Sequence, residues 1–359
     1  MQSAIGESRW QFLYTEISQI GGRKMECVTL GKTGLKVSKM GLGGIPVQRI
    51  DAEGTRKLVC KMAEAGVNYI DTARGYTVSE EYLGYALKGI RDKFVIATKS
   101  MARTKEAMAA DIEKSLKNLR TDYIDLYQVH NPSMEQLDQV LAAGGALEAL
   151  QEAKAAGKIG HIGLTAHSTE VFGRALELNW VETIMFPYNI VENQGEELIA
   201  KCKEKNIGFI DMKPLAGGAI ENGTLALRYI CANPDVTIVI PGMAEEKELE
   251  ENMKACLDPS PLSEEELGEM AAVREQLGTN FCRRCNYCAP CSVGINIPSV
   301  FLFAGYLNRY DLGDWARDRY STLTAKASAC IECGVCEGRC PYHLPIRKMM
   351  KECAEQFGE

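Results

Sequence analysis

The chain has 359 residues, 46% hydrophobic and 25% charged, with a formal net charge of −7. These are globular proportions that exclude wholesale disorder, and the acidic balance disfavours non-specific nucleic-acid binding. No uncharged apolar run reaches the ~18 residues of a membrane helix. The 14 cysteines are the anomaly: nine fall between Cys282 and Cys353, most of them in Cys-x-x-Cys steps. With no secretory signal in front of them, the expected compartment is reducing and cytoplasmic, and the thiols read as metal ligands.

Residues 1–24 show no strand, repeat or helical face and read as a leader or extension. Patterning begins at Met25, where MECVTLGKTGLKVSKMGLGG predicts a short hairpin followed by a strand. Short β-type runs then recur at 39–44, 68–72, 94–99, 123–130, 160–165, 183–188, 208–213 and 237–241. Helix-like stretches alternate with them, for example 54–64, 105–119, 145–156 and 169–178, with Gly66 and Gly157 placed as helix stops. Eight strands alternating with helices predict a (β/α)8 TIM barrel over residues 25–262. The alternative is an open doubly wound sheet, but no Gly-x-Gly-x-x-Gly turn follows the first strand. Acidic segments and two prolines, Pro259 and Pro261, mark a boundary. Ser263 and Glu266 form a capping-box pattern that opens a linker helix within 263–280. A small, mainly α-helical cysteine module fills 281–359.

The module holds two ligand runs. Cys282, Cys285, Cys288 and Cys291 are spaced by two residues throughout. Cys330, Cys333, Cys336 and Cys340 end on a three-residue gap followed by Pro341, the bacterial ferredoxin signature for 4Fe–4S ligation. In two-cluster ferredoxins the fourth cysteine of each run crosses over. One cluster is therefore predicted on Cys282, Cys285, Cys288 and Cys340, and a second on Cys330, Cys333, Cys336 and Cys291. A zinc site usually shows two thiol pairs a dozen or more residues apart, so the spacing favours iron–sulfur. Arg283, Arg284, Arg339 and Arg347 have an electrostatic reason to lie near anionic clusters; solvated basic surface is the plain alternative. The other cysteines read as small hydrophobes. A tail of this size is expected to need its metals to fold, and two such clusters imply oxygen sensitivity and an anaerobic host.

Barrels keep their chemistry at the C-terminal ends of their strands. Three consecutive strands here end in Asp71-Thr-Ala-Arg-Gly-Tyr76, Ala97-Thr98-Lys99 and Gln128-Val129-His130. Asp71 and Lys99 are expected to pair. A cation near the Tyr76 phenol is expected to lower its pKa, making it a general acid with His130 as a second hydrogen-bond donor. The loops expected to set specificity (73–78, 131–144 and 214–224) are short on aromatics, so no hydrophobic clamp is evident in them.

Through DTARGYTVSE, IATKS, LYQVHNP, GKIGHIGL, PYN, MKPLAGG and VIPG, the sequence resembles the aldo-keto reductase family, in the subgroup with a C-terminal ferredoxin-like dicluster module. The resemblance maps the family tetrad onto Asp71, Tyr76, Lys99 and His130. It implies reduction of a small aldehyde or ketone, or the reverse alcohol oxidation, by way of a nicotinamide. It places the cofactor near Thr165, Asn189, Lys213, Pro214, Leu215, Gly242 and Asn252. The pocket departs from the family: Thr165-Ala166 stands for the usual Ser-Asn pair, Met185 for a Gln and Met212 for a stacking Tyr. Lys213 and His167 are candidate substitutes. Glu245, Glu246 and Glu248 would repel a 2′-phosphate, which favours NAD(H) over NADP(H). Because hydride moves two electrons and a cluster one, the tail reads as a relay to a ferredoxin or flavoprotein, with a flavin in the altered barrel pocket as one route, or else as a cap or redox sensor. The competing class is an iron–sulfur electron-transfer protein whose barrel is a binding or regulatory module.

Overall fold

A computed structural model describes residues 24–359. Apart from Lys24, the segment set aside at the N-terminus lies outside the described residues.

The chain opens with the expected hairpin, β1 (Cys27–Thr29) antiparallel to β2 (Lys36–Ser38), with Val28 opposite Val37. Leu30 and Val37 bury themselves among the inward residues of the strands that follow, including Leu126 and Ile210, so the hairpin closes one end of the interior. The eight strands are β3 (Leu42–Gly43), β4 (Tyr69–Asp71), β5 (Val95–Ser100), β6 (Ile124–His130), β7 (Ile159–Thr165), β8 (Thr183–Pro187), β9 (Gly208–Met212) and β10 (Ile238–Ile240). All pair in parallel and in sequence order. Parallel bridges from Met40 to Val239 and from Gly43 to Gly242 bring the last strand back to the first. The nearly closed barrel rules out the open doubly wound sheet.

Eight helices cover the outside: α1 (Ala52–Ala65), α2 (Ser79–Ala86), α3 (Lys105–Leu119), α4 (Met134–Leu141), α5 (Ala146–Ala155), α6 (Thr169–Ala175), α7 (Glu196–Glu204) and α8 (Gly223–Cys231). Their ends follow local chemistry. The Asp51 carboxylate caps α1 by accepting from Gly54 N–H at 2.7 Å, and Gly66 stops it in the left-handed region, φ 76°. Their apolar faces meet the outward residues of the strands, as Leu58, Ile112 and Phe172 do against Ile70, Ile96 and Phe186.

After α9 (Glu246–Leu257), helix α10 (Glu264–Gly278) starts with the Ser263–Glu266 capping box. It is packed, not a free spacer: Met270 joins Ile190, Ile220, Leu225 and Phe281 in one cluster. The tail adds α11 (Ile297–Asn308), α12 (Gly313–Ser321), α13 (Val335–Arg339) and α14 (Ile346–Phe357). They enclose a second core around Val300, Ala327, Leu344 and Met350. No helix among the described residues is long and apolar enough to cross a membrane.

Candidate active site and cysteine module

The backbone of the β4–α2 loop is fixed from below. Arg74 N–H donates to Lys99 O at 3.0 Å and Tyr76 N–H to Ala73 O at 3.0 Å. Behind the loop, buried Glu80 accepts from Arg74, from the Thr98 and Ser115 hydroxyls (both 2.8 Å) and from Asn118. This anchor places Tyr76 beside the ends of β5 and β6. Lys99 Nζ donates to the Asp71 carboxylate and to Thr72 O at 2.9 Å, and lies 5.0 Å from the Tyr76 ring centroid. Gln128 Nε2 donates to the other Asp71 oxygen at 3.1 Å. His130 meets the Tyr76 ring edge-on, with centroids 6.3 Å apart. The four tetrad residues therefore converge.

The electrostatics differ from expectation at one point. The Tyr76 phenol is pushed well above its ordinary range, by burial first and by the Asp71 charge second. The expected lowering by Lys99 does not prevail, because Asp71 cancels that charge at short range. Burial also pushes Asp71 up and Lys99 down, each opposed by the attraction of the other. His130 is held well below its ordinary value by burial and by surrounding cations, Lys99 and Arg103 foremost, so its imidazole is neutral. Tyr76 keeps its proton at neutral pH, as an acid must.

Tyr76, Asp71 and Lys99 line a cavity of about 830 Å³ that runs past Gly43, Gly44, Met185 and Met212 to Lys213, Pro214, Leu215 and Gly242. Four of the expected cofactor contacts are thus on one wall. Thr165, Asn189 and Asn252 lie off that lining: the Thr165 hydroxyl accepts from Asn131 N–H at 3.0 Å, and the Asn189 amide donates to Lys213 O at 3.0 Å. His167 also lies off it. The wall suits the anionic part of a dinucleotide. Gly44 keeps the floor tight, since a Cβ there would come within 2.6 Å of Asp71 O. Two guanidinium groups, Arg49 and Arg309, stand on the wall where an anion would need them, with Lys213, whose ammonium burial pushes well below its ordinary range. Arg49 and Arg309 carry no signal in sequence beyond their charge.

In the tail the cysteines gather in the crossed arrangement. One space of about 320 Å³ is ringed by Cys282, Cys285, Cys288 and Cys340. Another, of about 400 Å³, is ringed by Cys291, Cys330, Cys333 and Cys336. The thiols surround a volume and do not converge on a point: no three His, Cys, Asp or Glu side chains among the described residues are arranged to hold a single ion. Apolar Ile297 and Ile346 wall both spaces. Burial pushes the Cys282 thiol up to about 11 and Cys288 to about 12, so these groups surrender protons only to a metal. An all-thiolate donor set around an apolar-walled space fits a 4Fe–4S cubane. Of the single cysteines, Cys202 and Cys353 are buried as expected, whereas Cys27 is exposed.

The arginines between the first ligands act neither as solvated surface nor as free counter-charges. Arg283 Nε donates to Val191 O at 2.8 Å and Arg284 pairs with buried Glu192 at 2.6 Å, both across the seam to the barrel. Arg309 Nε reaches Gly217 O at 3.0 Å. The tail thus roofs the barrel mouth, and it delivers aromatics that the barrel loops lack. Trp315 approaches Tyr76 edge-on at 6.3 Å and stacks on Tyr306 at 4.4 Å. The clamp missing from the loops comes from the other domain.

A barrel with this tetrad at its mouth and a four-plus-four thiol module behind it defines an oxidoreductase. The chain belongs to the aldo/keto reductase family, whose pattern matches residues 39–225 and 220–275. Residues 281–345 match a 4Fe-4S dicluster domain. It is similar to L-galactose dehydrogenase of Arabidopsis thaliana, 29% identical over 309 residues that span 70% of this chain and 95% of that one. It is 28% identical to NADH-specific methylglyoxal reductase of Escherichia coli over 237 residues, 57% of this chain and 72% of the relative. Among solved structures, the holo form of aldo-keto reductase AKR11C1 from Bacillus halodurans aligns with a TM-score of 0.60 at 26% identity, covering 69% and 96% of the two chains.

Proposed function

We propose that this protein is an NADH-dependent carbonyl reductase whose mouth is roofed by a module holding two 4Fe–4S clusters. One observation carries the reading: Tyr76, protonated, stands on the cavity wall with the Asp71–Lys99 pair behind it and neutral His130 at its edge. A nicotinamide held on this wall would supply the hydride for the carbonyl carbon and be oxidised in turn. Tyr76 Oη gives its proton to the carbonyl oxygen as the C=O π pair becomes the new O–H bond. His130 donates a hydrogen bond to the same oxygen, and Lys99 steadies the phenolate until it recovers a proton from solvent. Met185 and Met212 would give a bound nicotinamide ring an apolar bed, and Arg49 and Arg309 would face the pyrophosphate charge. The names of two relatives, a methylglyoxal reductase and a galactose dehydrogenase, agree with chemistry at a carbonyl or its alcohol.

NADH is favoured because the start of α9 is already satisfied. The Glu248 carboxylate accepts from Ala244 N–H at 2.6 Å and Glu245 N–H at 3.0 Å, and Arg49 lies 3.7 Å from it. A 2′-phosphate there would displace or repel that carboxylate. Deuteride from 4-deuterated NADH is expected in the alcohol product, one per molecule by mass spectrometry, with kcat/KM for NADH above that for NADPH. An unlabelled alcohol would refute hydride transfer.

The two cysteine sets suit clusters that would exchange single electrons with an external ferredoxin or flavoprotein. Cys282 lines a cavity shared with Lys213 and Gly217 of the barrel, whereas Cys333 is exposed between the exposed side chains of Ile331 and Val335. The Cys282 set thus faces inward and the Cys333 set faces the surface. Anaerobically prepared protein is expected to contain about eight iron and eight sulfide per chain. A reduced ferredoxin is expected to produce the EPR signal of reduced clusters, and NADH alone is not, because hydride does not divide into single electrons without a flavin. Four irons per chain would leave one thiol set without a cluster.

A further inference from the structure

Trp315 and Arg319 lie four residues apart on α12 and so share a helix face, the face that looks onto Tyr76. The Arg319 guanidinium carbon is 5.7 Å from the Trp315 ring centroid, and its Nη2 donates to Gly75 O at 3.4 Å, one residue from the proton donor. The side chain is half-buried. Among the described residues no Asp or Glu forms an ion pair with it, in contrast to Arg284 and Arg228 of the same interdomain seam and linker. Its charge reaches both proton-handling groups, working against the rise at Tyr76 and adding to the fall at His130.

At the mouth Asp71 is committed to Lys99. Arg49 lies 3.7 Å from Glu248, and Arg309 stands on the same dinucleotide wall with Lys213, whose ammonium burial pushes well below its ordinary range. Arg319 is off that wall, on the Gly75 side of Tyr76. An unpaired guanidinium stacked on an aromatic beside a catalytic acid repels its neighbouring cations until an anion arrives, and its planar fork matches a carboxylate.

We propose that the substrate is an anionic carbonyl compound, an aldehyde or ketone bearing a carboxylate, and that Arg319 binds that carboxylate while Tyr76 and His130 hold the carbonyl oxygen. The proposal rests on the carbonyl-reductase reading and names its substrate class. Trp315, edge-on to Tyr76 and backed by Tyr306, is the apolar surface nearest both polar groups, so recognition and reaction draw on different domains.

Matched aldehydes test this: 4-carboxybenzaldehyde against benzaldehyde, and succinic semialdehyde against butanal, with NADH and the cluster-loaded protein. The wild-type protein is expected to prefer each acid by roughly 30-fold in kcat/KM, the worth of one charge-assisted pair. Arg319→Met is expected to erase that ratio through KM for the acid, and Arg319→Lys to restore part of it. No acid preference in the wild type, or an equal fall on both members of each pair, overturns the proposal. Calorimetric binding of 4-carboxybenzyl alcohol and of benzyl alcohol to the NADH complex supplies a readout without turnover. Binding of the acid that Arg319→Met abolishes, in a protein that reduces no aldehyde, would uphold the anion site and sink the reductase reading. Turnover with Arg319-independent binding would do the reverse.

Discussion

Tyr76→Phe is expected to lose about 10³-fold in kcat for carbonyl reduction while NADH still binds, the scale of one positioned general acid. Neither of its tetrad neighbours replaces it as the proton source. His130 is neutral, with its pKa driven down by burial and by cations, and Lys99 is committed to Asp71 and Thr72 O. The ring itself makes the packing contacts with His130 and Trp315, so Phe preserves the shape and removes only the hydroxyl. The pH profile follows from the direction of the shifts. The raised phenol stays protonated through neutral pH, so reduction is expected to hold level there and to fall only as pH climbs toward the tyrosine's elevated pKa. The depressed histidine places no titration between neutral pH and its ordinary value. Stopped-flow loss of NADH absorbance at saturating aldehyde, beside a fluorescence titration of NADH binding, measures both halves. Full turnover in Tyr76→Phe would remove this residue from the mechanism.

The sequence carried the parts of this site that are local. Strand ends at Asp71, Lys99 and His130 are legible because alternation marks each strand and the polar residue breaks its last turn of apolar pattern. The cysteine sets are legible because two-residue loops around a cubane are a local constraint. What stayed hidden depends on tertiary placement. Arg319 and Gly75 are 244 residues apart, and no periodicity links them. Trp315 and Tyr306 lie on two tail helices, α12 and α11, and only docking brings Trp315, with Tyr306 stacked on it, to Tyr76. The direction at Tyr76 departs from expectation for a related reason: the Asp71–Lys99 pair is legible at the strand ends, but the depth of burial that dominates the phenol is not. Thr165 has a hydroxyl at a strand end, yet its oxygen accepts from the backbone N–H at the Asn131 turn (φ 44°) and the side chain lies off the cavity wall.

Arg284→Met is expected to destabilise the chain by about 3–5 kcal/mol, the cost of leaving one member of a buried ion pair alone. The pair sits in the seam, with side-chain exposure of 9% for Arg284 and 0% for Glu192. It is also the centre of a chain of contacts. Arg284 Nη1 donates to Cys282 O at 3.1 Å, Glu192 Oε2 accepts from Asn189 Nδ2 at 3.0 Å, and the same amide reaches Lys213 O at 3.0 Å. The first cluster ligand and the cofactor loop are thus tied through one buried carboxylate. The loss should therefore appear twice, as a lower denaturation midpoint and as a weaker KM for NADH, with iron content intact. Adding Glu192→Leu separates charge from packing. An apolar pair in a buried slot is often as stable as the ions it replaces, so the double variant is expected to recover most of the stability. Its NADH affinity should stay impaired, because Asn189 loses the carboxylate that orients it. If the single variant costs less than about 1 kcal/mol, as an exposed pair would, the roof is held by Arg283 and Arg309 instead. The two domains would then be joined by backbone contacts, with no buried charge at their centre.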